Sequence, residues 1–230
     1  MNPTMTAEAA PVGSRCAGWF DRPVLAGLRV RLEPLSPVHA EGLLEAGDDP
    51  QVWRWLPVRR PGDPVAMRAY VAELLGRHRD GLAVPWAQID VRTGRVAGVT
   101  AFRDLAPGDR GLHIGHTWLG ARWQRTGINT EAKLMLLERA FDVLGAIRVS
   151  WTAHPENQQT LRAIERLGAR RDGVLRRHRI MPDGTYRDTV VYSLIDSEWP
   201  AARDALRARL RGGPAGQAAP RRGEDPPDSL

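Results

Sequence analysis

From Leu28 to Leu32 apolar and polar side chains alternate, the pattern of a strand with one buried face. Ser36-Pro37 then opens a helix running through Leu44, with proline at a favoured first position. A second helix is expected over 64–79, with Val65, Ala69, Ala72 and Leu75 on its apolar face. Two strands follow, Trp86 to Val91 and Arg95 to Phe102, joined by a turn at Thr93-Gly94. After a loop from Ala106 to Gly111 the pattern gives a strand, Leu112 to Leu119, and then a helix, Thr130 to Leu144. Arg148 to Ala153 is another strand, and 157–167 a helix stopped by Gly168. Strands at 174–181 and 187–194 form a hairpin across Asp183-Gly184. An amphipathic helix closes the series at about 197–211, with Trp199 to Leu210 as its periodic part. This order of elements predicts an α/β chain with one mixed sheet, in a single domain over 25–211.

Two segments fall outside that domain. Residues 1–24 are rich in Ala, Pro and Gly and have little periodicity, so a loosely ordered leader is expected, although Trp19 and Phe20 could dock. Residues 212–230 carry Gly213-Pro214 and Pro226-Pro227 with almost no apolar side chains, which predicts disorder.

The loop Gln124-Arg125-Thr126-Gly127-Ile128-Asn129 lies between a strand and a helix start. Backbone N–H groups at a helix N-terminus lack partners within the helix and point outward. The aligned peptide dipoles add roughly half a positive charge there. Such a place receives a pyrophosphate readily, and Gly127 allows positive φ or close approach. An ordinary loop before a helix is the plainer alternative.

At 230 residues the chain fits one domain with tails, and 42% hydrophobic residues support a proper core. No apolar run approaches the ~20 residues that span a bilayer. No charged segment followed by an apolar one marks a secretory signal. The single cysteine, Cys16, can form no internal disulfide and lies in the leader. A cytoplasmic protein without a membrane partner is expected. The net charge of +6 raises a nucleic-acid role. Lys133 is the only lysine and every other base is Arg, in helices and loops alike, as GC-rich coding favours. No stretch interleaves aromatics with a dense basic run, and an acidic ligand also favours a basic cleft.

Several motifs, in order, resemble those of the GNAT (GCN5-related) N-acetyltransferases. Gln124 and Gly127 match the Q/R-x-x-G-x-G/A acyl-CoA signature, with Asn129 where the family has Gly or Ala. His113-Ile114-Gly115-His116 resembles E-I-G-Y of its central strand. Asn157-Gln158-Gln159-Thr160 resembles N-x-x-S, and Ile164-Glu165-Arg166-Leu167-Gly168-Ala169 resembles Y-E-K-L-G-F. Asp172-Gly173 and Asp183-Gly184-Thr185-Tyr186-Arg187-Asp188 resemble E-G and N-G-x-Y-x-D. The series covers about 25–195 and is similar to the RimJ/RimL-like branch, whose members acetylate protein N-termini. The resemblance implies a single GNAT domain with a mostly antiparallel sheet of about seven strands, splayed at an acyl-CoA cleft and flanked by helices. It implies acetyl-CoA as co-substrate and no metal. The acceptor is either a peptide N-terminus or a small-molecule amine, and a homodimer stays open. A non-catalytic acyl-CoA-binding module is the alternative reading.

Acyl transfer to an amine requires a neutral amine, donors for the developing oxyanion and a partner for the departing thiolate. A lysine-like amine of pKa ~10.4 is neutral about once in two thousand at pH 7, at a cost near ~4.6 kcal/mol. A peptide α-amine of pKa ~8 costs roughly 1.4 kcal/mol, so it needs little help from a base. His113 is the candidate base. It lies eleven residues before Gln124, where some family members carry Glu. Strand alternation puts His113, Gly115 and Thr117 on one face and His116 and Trp118 on the other, so only one histidine is expected to meet the amine. Simple packing is the other role open to each. Thr160 stands at the family's Ser near the CoA sulfur, while Ile164 replaces the Tyr acid of other members. Asn157 would hold a pantetheine amide or cap its helix. Backbone groups of Thr117, Trp118 and Leu119 would bond the pantetheine arm, and the run Gln124, Arg125, Thr126, Gly127, Ile128, Asn129 and Thr130 the phosphates. Arg122 and Lys133 are also expected near that loop. Trp53 and Trp55, with Arg54 and Leu56-Pro57, would wall the acceptor pocket or lie in the core.

Overall fold

The computed structural model describes residues 18–212. The expectations for 1–17, Cys16 among them, and for 213–230 lie outside the described residues. The strands are β1 (Leu25–Ala26), β2 (Val30–Pro34), β3 (Ala83–Asp90), β4 (Val96–Ala106), β5 (Gly111–Leu119), β6 (Arg148–Ala153), β7 (Arg170–Ile180) and β8 (Tyr186–Ile195). The helices are α1 (Ala40–Ala46), α2 (Pro64–Arg79), α3 (Ile128–Glu138), α4 (Gln158–Glu165) and α5 (Trp199–Gly212). One sheet holds all eight strands in the order β1-β2-β3-β4-β5-β6-β8-β7. The seven expected strands are present, and the eighth is the two-residue edge strand β1. Only β5 and β6 run parallel. A parallel pair needs a crossover between its strands, and α3 supplies it.

β3 is buried along its whole length, so its pattern shows no alternation and its first residues were not expected from the sequence. The apolar face of α2 differs from the expectation. Met67, Val71 and Leu74 are buried, whereas Val65 is exposed and so are Ala69 and Ala72. The periodicity fits either set, and tertiary packing selects the one with the larger side chains. Helix α3 continues into a wide π turn, Arg139–Val143, rather than remaining α-helical to Leu144. That turn brings Phe141 to stack on Trp199 at 5.3 Å and Asp142 to accept from Trp199 Nε1 at 2.7 Å, which docks α5.

The ordered domain begins before residue 25. Trp19 is buried, and Arg139 Nη2 donates to the carbonyls of Gly18 and Asp21 at 2.7 and 3.1 Å. Glu131, in the first turn of α3, ties the segment that follows, 28–30, to the same helix. Its buried carboxylate accepts from the backbone N–H groups of Leu28, Arg29 and Val30 at 3.1, 2.6 and 2.9 Å. No helix among the described residues is long and apolar enough to cross a membrane.

Replacing Glu131 by Ala would strand three backbone donors, at a cost of at least ~2 kcal/mol. Thermal unfolding should show a Tm lower by about 4–8 °C for a domain of this size. Glu131→Gln keeps one acceptor oxygen and should lose less. Equal melting of all three proteins would show that these bonds contribute nothing net.

Candidate functional site, a splayed sheet and its helix cradle

The parallel ladder between β5 and β6 consists of Gly111–Arg148, Leu112–Val149 and His113–Ser150, and then stops. Beyond it Ile114 to Leu119 and Trp151 to Ala153 have no ladder partner in each other. Two adjacent strands therefore separate in mid-sheet. β5 also bulges here. Gly115 pairs with Ala101 and Trp118 with Val99, so two residues, His116 and Thr117, face the single Thr100. His116 takes a left-handed φ of 47°. An extra residue reverses the sidedness of every strand position after it. Thr117 thus meets Thr100 on the α3 face at 2.9 Å, while Trp118 shares the other face with His113. The expected alternation of His113, Gly115 and Thr117 holds only as far as Gly115.

The loop after β5 forms the cradle. Trp123 Nε1 donates to Asp90 at 3.1 Å, Gln124 Nε2 to the Leu119 carbonyl at 3.2 Å and Thr126 Oγ1 to the Trp123 carbonyl at 2.7 Å. Arg125 and Gly127 both have positive φ, 62° and 88°, and Gly127 is the N-cap of α3. A Cβ at Gly127 would also lie 3.1 Å from the Arg29 side chain. Among the described residues, the N–H groups from Arg125 to Thr130 donate to no protein acceptor. Asn129 Oδ1 is buried without a partner. Six unpaired donors at a helix N-terminus suit a pyrophosphate. Gln159 Nε2 donates to Gln124 Oε1 at 3.1 Å and so joins the first turn of α4 to this loop. Asn157 caps α4 by accepting from the Thr160 N–H at 3.1 Å. The Thr160 hydroxyl has no protein partner among the described residues and is half-buried.

His113 differs from a free base. It is buried, Arg103 Nη2 donates to its Nε2 at 2.9 Å, and its Nδ1 lies 3.1 Å from Ser150 Oγ. Gly115 makes room for this, since a Cβ there would lie 2.5 Å from Arg103 Nε. Both ring nitrogens are engaged. Burial first, and then the Arg103 charge, holds the imidazole well below its ordinary range. His116 is lowered to about 4 by burial, then by Arg103 and Arg77. As placed, His113 has a protein partner on each ring nitrogen, and both rings are disfavoured in their protonated form.

Trp53 is a core side chain. Its Nε1 donates to the Gly47 carbonyl at 2.8 Å, and it packs on Tyr70 and Trp118 at 5.8 and 4.9 Å. Trp55 is half-buried and lies 4.6 Å from the His154 ring, with Arg54 on its face at 4.8 Å. Trp53, Arg54, Trp55 and His154 line an open groove of about 470 Å³ between 50–60 and the β7–β8 turn, with Arg59 on the first wall and Met181 and Asp183 on the second. His154 was not singled out by the sequence. A hollow of similar volume between α4 and α5, lined by Arg162, Arg166 and Arg209, shares no residue with this groove.

Lys133 is not at the phosphate loop but sealed between α3 and the sheet. Its Nζ donates to Thr100 Oγ1 at 3.0 Å and to Thr117 Oγ1 at 2.7 Å, with no carboxylate on it among the described residues. Burial lowers it from 10.5 to about 7.

Comparison with known proteins agrees with this geometry. Residues 29–170 match the family described as an acetyltransferase (GNAT) domain. The structure of a GCN5-related N-acetyltransferase from Brucella melitensis is 33% identical, covers 86% of this chain and 90% of that one, and superposes with a TM-score of 0.80. Mycobacterium smegmatis RimJ in complex with CoA-disulfide is 25% identical over 84% of this chain and 97% of its own, with a TM-score of 0.71. The uncharacterized N-acetyltransferase YoaA of Bacillus subtilis is 22% identical over 75% of this chain and 97% of its own length.

Lys133 generates a pH dependence of stability. Its folded value of about 7 lies below its unfolded value of 10.5, so between these pH values only the unfolded chain binds the extra proton. Stability should therefore rise with pH through this window, and the full penalty should stand below it. Denaturant unfolding at pH 7 and 9 should show this gain in the wild type and its loss in Lys133→Met. A parallel pH response in both proteins would place the titration elsewhere.

Proposed function

Since the chain belongs to the GNAT acetyltransferase family, with structural neighbours in its RimJ/RimL-like branch, we propose that it transfers an acetyl group from acetyl-CoA directly to a primary α-amine. The early end of the β5–β6 ladder, beside six unpaired N–H groups, carries this reading. It offers an edge for an amide-bearing arm next to a seat for a pyrophosphate. The N–H groups of Arg125 to Thr130 would hold the phosphates, and the backbone of Thr117, Trp118 and Leu119 the arm. The Asn157 side chain keeps its amide N–H₂ for the same arm after capping α4.

An α-amine suits the cleft better than a lysine-like one. With their protonated forms disfavoured by burial and by Arg103, neither His113 nor His116 is a strong proton acceptor. An acceptor of pKa ~8 supplies its neutral form unaided. Arg103 and Arg77 add to this by disfavouring an ammonium nearby. A direct path also needs no acyl-enzyme, because no thiol occurs in the domain and Thr160 has no base beside it. The free Thr160 hydroxyl would donate to the thiolate as it leaves.

Gly127→Val puts a branched side chain at a left-handed position where backbone must approach phosphate. Calorimetry should show acetyl-CoA affinity reduced at least about tenfold, with the far-UV spectrum unchanged. Undiminished affinity would remove the cradle from the reading. Thr160→Val should depress kcat with acetyl-CoA affinity nearly intact, because the contact strengthens only as charge builds on sulfur, and Thr160→Ser should retain most activity. A fully active valine variant would dismiss the hydroxyl. The acidic limb of kcat/KM, followed by CoA release, should track the acceptor's own pKa and persist in His113→Asn. A limb near pH ~6.5 that vanishes in that variant would restore His113 as the base.

A further inference from the structure

The polar face of the sheet continues past the histidines. Register carries it from Arg103 on β4 to His113 on β5 and Ser150 on β6, and Arg103 Nη2 reaches Thr152 Oγ1 at 3.2 Å. On β8, Arg187 and Thr189 turn inward, 7% and 1% exposed, while Asp188 between them is exposed. Arg187 pairs across the hairpin with Arg179. The one hydrogen bond of its side chain among the described residues is a long one, from Nη1 to the carbonyl of Trp55, a residue on the wall of the groove, at 3.4 Å. Arg187 Nε and Thr189 Oγ1 are both buried without a partner. No carboxylate lies within ion-pair distance of Arg187 among the described residues, and of these three guanidiniums only Arg103 has one, Asp104 at 3.0 Å. A buried guanidinium with idle donors is costly unless an anion completes it.

We propose that the acceptor carries a carboxylate close to its reactive amine, and that Arg187 and Thr189 bind it, with Arg103 and Arg179 adding positive field. This rests on the acetyl-transfer reading. The chemistry also removes a difficulty. A carboxylate beside an ammonium stabilises its charged form, and pairing with Arg187 would cancel that influence and leave the amine easier to deprotonate. Two sources share this chemistry, the side chain of an N-terminal Asp or Glu in a peptide and the α-carboxylate of a free amino acid.

The test compares acids with their neutral isosteres. Peptides beginning with Asp or Glu, matched peptides beginning with Asn or Gln, and free glutamate beside glutamine amide would be assayed for CoA release. The same ligands would be titrated calorimetrically into the CoA-loaded protein. The acid should exceed its amide by at least about tenfold, the scale of one charge-assisted pair, and the peptide and amino-acid arms identify the source. Arg187→Gln should bring the two within about threefold while acetyl-CoA affinity holds, and Arg179→Gln, at an exposed position, should narrow the gap without threatening the fold. Equal acid and amide in the wild type would overturn the proposal even if Arg187→Gln fails to fold. A gap that survives in a folded Arg187→Gln, or a comparable loss of acetyl-CoA affinity there, would overturn it too. Selective binding of acids with no CoA release from any amine would instead sink the acetyl-transfer reading and keep the anion site.

Discussion

The architecture turns on the three-pair limit of the β5–β6 ladder. The other neighbouring strands are antiparallel and stay paired towards both ends, with local bulges, whereas β5 and β6 part after three pairs with peptide groups left on either side of a gap. Unpaired peptide groups favour any guest that can complete them. The gap needs firm support on both sides, because a sheet free to relax would close it. On one side the bulge at His116 and the Thr100–Thr117–Lys133 bonds fix β5. On the other, β6 is held along its full length by β8.

The electrostatics of the two faces arise from the same arrangement. Towards α3 a lone lysine is sealed against two hydroxyls. Towards α2 and the groove, arginines outnumber carboxylates and the histidines stay neutral. The second face resembles a positively polarised wall more than an acid–base pair. A wall of this kind favours anions and disfavours cations nearby through its field.

Much of this was legible in the sequence. The alternation of β2, the turns at Thr93-Gly94 and Asp183-Gly184 and the stop at Gly168 are local signals, and each stands where expected. The cradle was legible for the same reason, since its Gly127 and the helix start beside it are adjacent in the chain. What failed was non-local. The inward face of α2 depends on what packs against it. The role of His113 depends on Arg103, ten residues back, and on Ser150, which arrives from a strand beyond α3. Arg187 and Thr189 read as ordinary strand residues, because no sequence pattern reveals that a buried donor lacks its acceptor. The β5 bulge defeated simple counting, since its left-handed residue is His116 and not the neighbouring Gly115.

That bulge has a consequence for how this strand can vary. The spacing from His113 to Gln124 contains one residue more than a flat strand would use to cover the same ground. Flattening the strand with all its residues kept would turn Thr117 away from Lys133 and Trp118 away from Trp53, whereas excision of His116 would leave Thr117 opposite Thr100 and Trp118 opposite Val99, each on its present face. Substitutions within Ile114 to Leu119 alter one contact each, whereas a slip of register alters all of them at once. The segment is therefore constrained by its register before it is constrained by the identity of its residues.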